Sequence, residues 1–163
     1  MKKFLLIFVL LNINFVAMAQ NLRTAGSVLT DETCEILCAA AKNKSREMGV
    51  DISFAIADPD GLPRLFRRFG DALVLSATLV PAKAYTSAVT QSPTGNLIPF
   101  VADGGDLMGM NTCDFRITLV PGGFPLFVDD KIVGAIGVGG GSKEQDLEIA
   151  DHILNVFSET LSR

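Results

Sequence analysis

Residues 121–142 read Pro-Gly-Gly-Phe-Pro-Leu-Phe-Val-Asp-Asp-Lys-Ile-Val-Gly-Ala-Ile-Gly-Val-Gly-Gly-Gly-Ser. Two β-prone runs, 124–128 and 131–138, are separated only by Asp129-Asp130, and such spacing predicts a tight two-residue hairpin. Pro121-Gly122-Gly123 supplies a turn in front of it, and Gly139-Gly140-Gly141 ends the second strand. Ser142 with Gln145 three residues later is a capping-box pattern, so a helix begins there. Its buried stripe would be Leu147, Ala150, Leu154, Phe157 and Leu161 at helical spacing. A hairpin followed by an amphipathic helix closes an antiparallel α+β domain.

Working outward, the rest of the chain fits the same class. Residues 52–57 alternate large apolar with small side chains and read as a strand. Asp58-Pro59-Asp60-Gly61 is a turn, with proline presetting φ and glycine taking the positive-φ position. Residues 62–69 return as a second strand carrying Arg64, Arg67 and Arg68. Before this hairpin, Thr30 is an N-cap, Asp31 and Glu32 occupy the first turn, and Gly49 stops a helix over 31–48. After it, 71–90 reads as a helix interrupted by Pro81. Residues 92–110 are rich in glycine and proline and read as a long loop. Residues 115–120 are expected to form a further strand. The predicted order is helix, hairpin, helix, loop, three strands, helix: an antiparallel sheet flanked by helices.

The chain has 163 residues, enough for one domain, with pI near 4.9 and net charge −4. That balance excludes a general nucleic-acid binder, which would present a basic face. Lys2 and Lys3 precede an apolar run, and Ala17-Met18-Ala19 follows with small residues at alternate positions. This is the pattern of a secretory signal peptide over 1–19, since a spanning helix would need about 20 apolar residues. The mature product is expected in the periplasm or outside the cell, without a membrane anchor. Cys34, Cys38 and Cys113 form an odd set, so at least one thiol stays out of an intramolecular bridge. Cys34 and Cys38, four apart on a helix, read as small core residues.

Few residues carry chemistry. The single histidine, His152, reads either as a surface side chain paired with Glu148 or as a metal or heme ligand. Met108 and Cys113 near the glycine-rich loop are either soft ligands or packing residues. Gly137 to Ser142 resembles neither the dinucleotide fingerprint nor a P-loop, and signals a close backbone approach at a helix start. Arg64, Arg67, Arg68 and Lys83 with Tyr85 read either as a solvated face or as groups suited to carboxylates, with Lys83 or Tyr85 as an acid or base.

Several of these stretches together resemble the GlcG/HbpS-like family, the heme-degrading domain that also ends PduO-type proteins. They are Thr30-Asp31-Glu32, Asp58-Pro59-Asp60-Gly61, Arg67-Arg68-Phe69-Gly70-Asp71-Ala72, Lys83-Ala84-Tyr85-Thr86 and, most specific, Pro121-Gly122-Gly123-Phe124-Pro125 with Gly134-Ala135-Ile136-Gly137-Val138 and Glu144-Gln145-Asp146. The resemblance spans about 30–161. It implies a profilin-like fold, a homo-oligomer and a heme or other tetrapyrrole ligand. Arg68 and Lys83 would meet its propionates, while Gly122, Gly123 and Gly139 would let the backbone approach it. Two other readings remain: an enzyme or binding protein for a small organic acid, and a non-catalytic sensor or accessory module.

Overall fold

The computed structural model describes residues 28–162. The expected signal peptide at 1–19 lies outside the described residues. The elements are α1 (Asp31–Glu47), β1 (Ser53–Ala57), β2 (Pro63–Arg68), α2 (Ser76–Thr90), β3 (Gly123–Val128), β4 (Lys131–Gly139) and α3 (Lys143–Leu161). Short helical turns at Thr94–Leu97, Ile98–Val101 and Met110–Cys113 punctuate the long connection.

One antiparallel sheet has the order β2-β1-β4-β3. The β3–β4 hairpin turns through Asp129 and Asp130, both at positive φ, +48° and +60°. Aspartate tolerates that region, and the turn twist it gives matches a two-residue hairpin. The α1 start follows its sequence too: the Thr30 hydroxyl accepts from the Thr33 N–H at 3.1 Å. At α3 the Ser142 and Gln145 side chains satisfy each other's backbone N–H groups, completing the capping box.

The alternation along the central strands builds three layers. Phe54 and Ile56 of β1 with Ile136 and Val138 of β4 join Leu37 of α1 and Ile149 and Ile153 of α3 in the main core. Ala55, Ala57 and Ala135 face the opposite way, against Val80, Ala84 and Ala88 of α2. Small residues on that face let the α2 backbone lie almost on the sheet. A β-carbon at Gly137 would run into the Val80 carbonyl oxygen and the Ala84 nitrogen.

Two expectations are corrected. Residues 115–120 form no strand; after a turn at Phe115 and Arg116 they are tied to side chains of α2 and the connection instead of to the sheet. The Thr118 N–H donates to the Thr86 hydroxyl at 2.9 Å, and the Thr94 hydroxyl donates to the Val120 carbonyl at 2.8 Å. The closing unit therefore has two strands, not three. The second helix begins at Ser76 and not Asp71. Asp51 accepts the Asp71 N–H at 2.9 Å, and the carbonyls of Leu73, Val74 and Leu75 accept from Ser76, Ala77 and Thr78 as the helix starts. Pro81 lies inside α2, and the helix runs on to Thr90. Among the described residues no helix is long and apolar enough to cross a membrane.

Candidate functional site

An open cleft of about 220 Å³ lies where the start of α2, the 120–121 segment and the start of α3 converge. Leu73, Leu75, Leu79, Val120 and Pro121 give it apolar walls, and Lys143 stands at its rim. Lys83 and Asp146 form the floor.

The floor is a buried ion pair. Lys83 Nζ donates to the Val138 carbonyl at 2.6 Å and to Asp146 Oδ2 at 3.2 Å. Asp146 Oδ1 also accepts from the Gly141 N–H at 3.0 Å. The two side chains are only 1% and 8% exposed. Burial pulls the Lys83 pKa down and pushes the Asp146 pKa up, and each partner's charge opposes the other's shift. An ion pair this dry holds only because every polar atom in it has a partner.

Gly122, Gly123 and Gly139 make room for that pair. A β-carbon at Gly122 would sit 2.9 Å from Lys83 Nζ, and one at Gly139 would sit 3.0 Å from it. At Gly123 the obstruction would be the Lys83 carbonyl and the Thr94 side chain. The close backbone approach signalled by the glycines is thus an approach to Lys83 and its helix.

Tyr85 points away from this site, since positions two apart on a helix lie about 200° around its axis. Its hydroxyl donates to Asp114 Oδ2 at 2.6 Å, and the Arg116 guanidinium lies 4.0 Å above its ring. Arg116 also chelates Asp114, at 2.7 and 3.0 Å. These donors hold the Asp114 carboxyl well below the ordinary carboxylate range, Arg116 most strongly. The hydrogen bond to Asp114 raises the Tyr85 pKa above its usual value, against the pull of Arg116.

The hairpin arginines divide. Arg64 pairs with Asp31 at 3.0 Å and Arg67 with Glu35 at 3.6 Å, both across to α1. Arg68 is exposed and its Nε donates to the Ala72 carbonyl at 2.7 Å, next to Leu73 at the cleft lip. The expected His152–Glu148 pairing is not formed; Glu148 instead meets Lys44 at 3.0 Å. Met108 and Cys113 are exposed, and the Cys113 thiol donates to the Met110 carbonyl at 2.8 Å. Neither they nor His152 lines the cleft. Among the described residues no group of three or more His, Cys, Asp or Glu side chains is gathered as a metal site would need. Cys34 and Cys38 are buried in the core as free thiols.

A second cavity of about 370 Å³ adjoins the cleft and shares Pro121 and Lys143 with it. Ile98, Phe124 and Leu147 give it apolar surface, and Asn96 and Asp151 give it polar groups.

Residues 29–155 match the family model described as haem degrading protein HbpS-like. The chain belongs to this HbpS-like family. An uncharacterized 15.0 kDa protein of Citrobacter freundii, from the dhaT-dhaS intergenic region, is 33% identical over 134 residues; these cover 82% of this chain and 94% of that protein. The crystal structure of Klebsiella pneumoniae ORFY aligns at TM-score 0.76 and 30% identity, over 80% of this chain and 90% of that one. A PduOC:heme complex aligns at 0.75 and 29% identity, over 78% and 94%. A double mutant of Streptomyces reticuli HbpS, at 24% identity and TM-score 0.72, shares the fold over 78% of this chain and 86% of that one. The mixed sheet-and-helix fold expected of this HbpS-like chain is therefore the fold it has.

Lys143, Asp146 and the leucines ahead of α2 were not among the site residues expected from sequence. One signal was available. Lys83 is the sole charged residue between Asp71 and Gln91. A lone cation among small and apolar residues needs a counter-ion, and Asp146 sits in the first turn of the helix that follows the glycine run.

Proposed function

We propose that this HbpS-like protein is an exported, homo-oligomeric heme-binding protein, with residues 1–19 as its signal peptide. The observation that carries the reading is the apolar cleft with cations at its edge, in a chain that aligns with PduOC in its heme complex. A porphyrin needs an apolar slot, cations for its propionates and a nitrogen or sulfur donor for its iron. The leucine walls suit the first requirement. Lys143 at the rim and Arg68 near the lip suit the second. Lys83 is already committed to Asp146 and serves as the floor beneath the ligand. The donor set does not fit as well, because no His, Met or Cys lines the cleft of a single chain. Bound heme would supply redox-active iron, and the residues of this chain would shield and orient it.

A second reading, a small organic acid as ligand, is favoured by the cleft volume, which lies below the usual range of about 300–1,000 Å³ for cofactor-sized pockets. Absorption titration of the purified protein with hemin separates the two. Heme binding gives a saturable Soret shift. Leu79→Asp should weaken it by about tenfold or more, since a carboxylate in the slot would have to be desolvated. Lys143→Ala should weaken it by a few-fold, the scale of an exposed ion pair. A flat titration, or a Soret shift unaffected by either variant, would reject this site.

A further inference from the structure

Heme binding leaves the chemistry of the cleft floor unused. A primary amine and a carboxyl group meet there at 3.2 Å, almost wholly buried, beneath walls that include Leu75, Leu79, Val120 and Pro121. A buried ion pair is often no more stabilising than apolar residues of the same volume, so stability alone does not account for one under an open cleft. Lysines that condense with carbonyl compounds sit in such surroundings, because a desolvated amine gives up its proton and becomes a nucleophile.

We infer that the cleft is a covalent carbonyl site, in which Lys83 Nζ forms an imine with a short aliphatic aldehyde and Asp146 moves the protons. Burial lowers the Lys83 pKa and raises that of Asp146, so both shifts favour passing one ammonium proton to Oδ2. The Gly141 N–H holds Asp146 Oδ1 at 3.0 Å and keeps the acid in place. Rotation about the Cε–Nζ bond turns the amine lone pair toward the cleft, while the Val138 carbonyl accepts an N–H as it does in the resting pair. Nζ attacks the carbonyl carbon, the C=O π electrons move to oxygen, and Asp146 protonates that oxygen. The carboxylate takes a second proton from nitrogen and delivers it to the new hydroxyl. The C–O bond breaks as the nitrogen lone pair forms C=N, and one water leaves. An ammonium and a carboxylate have become an iminium and a carboxylate, so the dry floor begins and ends with one charge of each sign. The size and lining of the cleft select the aldehyde. At about 220 Å³ it suits a small molecule, since an apolar cavity of about 150 Å³ takes up benzene, and the leucines give an alkyl tail its only apolar cover.

Butanal with sodium cyanoborohydride, which reduces an imine to a stable secondary amine, tests this on the purified protein at neutral pH. Peptide mapping by mass spectrometry should find a butyl group on Lys83, formed about tenfold or more faster than on the exposed Lys143, because an ordinary lysine, with pKa about 10.4, is almost wholly protonated there. Exchanging ethanal for butanal should raise the labelling of Lys83 relative to Lys143, since the tail of the longer aldehyde meets the leucine walls. Asp146→Asn, with unchanged circular dichroism, should slow Lys83 labelling about tenfold or more by removing the acid. If that variant does not fold, the Lys83-to-Lys143 ratio and its dependence on chain length decide in the wild type alone. Labelling confined to exposed lysines, a ratio indifferent to chain length, or a folded Asp146→Asn protein labelled at the wild-type rate would each overturn the inference. The inference takes from the proposed function only the cleft, and no hemin enters its test. A Soret shift with Lys83 unlabelled would overturn this inference alone, and labelled Lys83 with a flat hemin titration would overturn the heme reading alone.

Discussion

Replacing Lys83 with methionine tests whether the floor of the cleft is a single ionic unit. Methionine keeps most of the stem volume and removes the ammonium. Two acceptors then lose their donor, the Val138 carbonyl and Asp146 Oδ2, in a place where the side chains are 1% and 8% exposed. Removing one partner of a buried pair costs about 3–5 kcal/mol, because the other is left charged and unpaired. For a domain of this length that is a fall of roughly 10–20 °C in Tm. Asp146→Asn keeps an oxygen for the Gly141 N–H and should cost less than Lys83→Met. The double variant Lys83→Met/Asp146→Asn removes the stranded charge, so it should be more stable than Lys83→Met alone by about 1–3 kcal/mol, a strong coupling for neighbours. Urea unfolding followed by circular dichroism measures all four proteins, with equal m-values confirming comparable folded states. A Lys83→Met protein within about 1 kcal/mol of wild type would refute the reasoning. So would a double variant whose loss equals the sum of the single losses.

Two further outcomes follow from other parts of the molecule. Tyr85 is the chain's single tyrosine and there is no tryptophan, so ultraviolet titration of tyrosinate reads it alone. Its folded pKa is raised above the ordinary value of 10.0, mainly by the bond to Asp114, so that contribution to stability is full below pH 10 and is lost as pH rises through the folded pKa. Asp114→Asn should bring the midpoint down to 10 or below; an unmoved midpoint would show that the hydrogen bond does not set it. Gly137→Ala forces a methyl group into the backbone of α2 at Val80 and Ala84 and should cost about 1–3 kcal/mol or more. A variant as stable as wild type in urea would mean that α2 can lift off the sheet.

Local patterns carried most of the fold. Asp129-Asp130, the Ser142–Gln145 box and the Thr30 cap act within a few residues of themselves, and each was legible and is present. Residues 115–120 misled because their β-prone side chains say nothing about whether a strand edge is free to pair. The backbone there is held by Thr86 and Thr94, which lie 32 and 26 residues before their partners Thr118 and Val120. The start of α2 was set too early for a similar reason: Asp51, twenty residues upstream, fixes the turn at Asp71. At the site, Lys83 and the glycines were read from sequence as groups meeting a ligand, and their relation to one another was not readable. Asp146 is 63 positions from Lys83, and only the sheet brings them within 3.2 Å. His152 illustrates the opposite limit. Helical spacing allowed a pairing with Glu148, yet Lys44 of the neighbouring helix takes that carboxylate.

The glycines and the lysine are best understood as one device. Ala55, Ala135 and Gly137 strip the sheet face of bulk, so α2 settles against it by its backbone. At that distance a side chain directed inward from α2 has no room unless the strands opposite are bare. Gly122 and Gly139 bare them at the one position where the inward residue is long. Lys83 can then run along the bare sheet face to reach the Val138 carbonyl and Asp146 in the first turn of α3. The lysine therefore links α2, the sheet and α3 through one side chain, at the point where the cleft opens. The leucine walls of that cleft come from α2 and its approach segment, and its rim cation comes from α3. Any ligand that enters is gripped by two elements whose separation Lys83 and Asp146 hold fixed, which is why the floor should govern affinity without touching the ligand's charged groups.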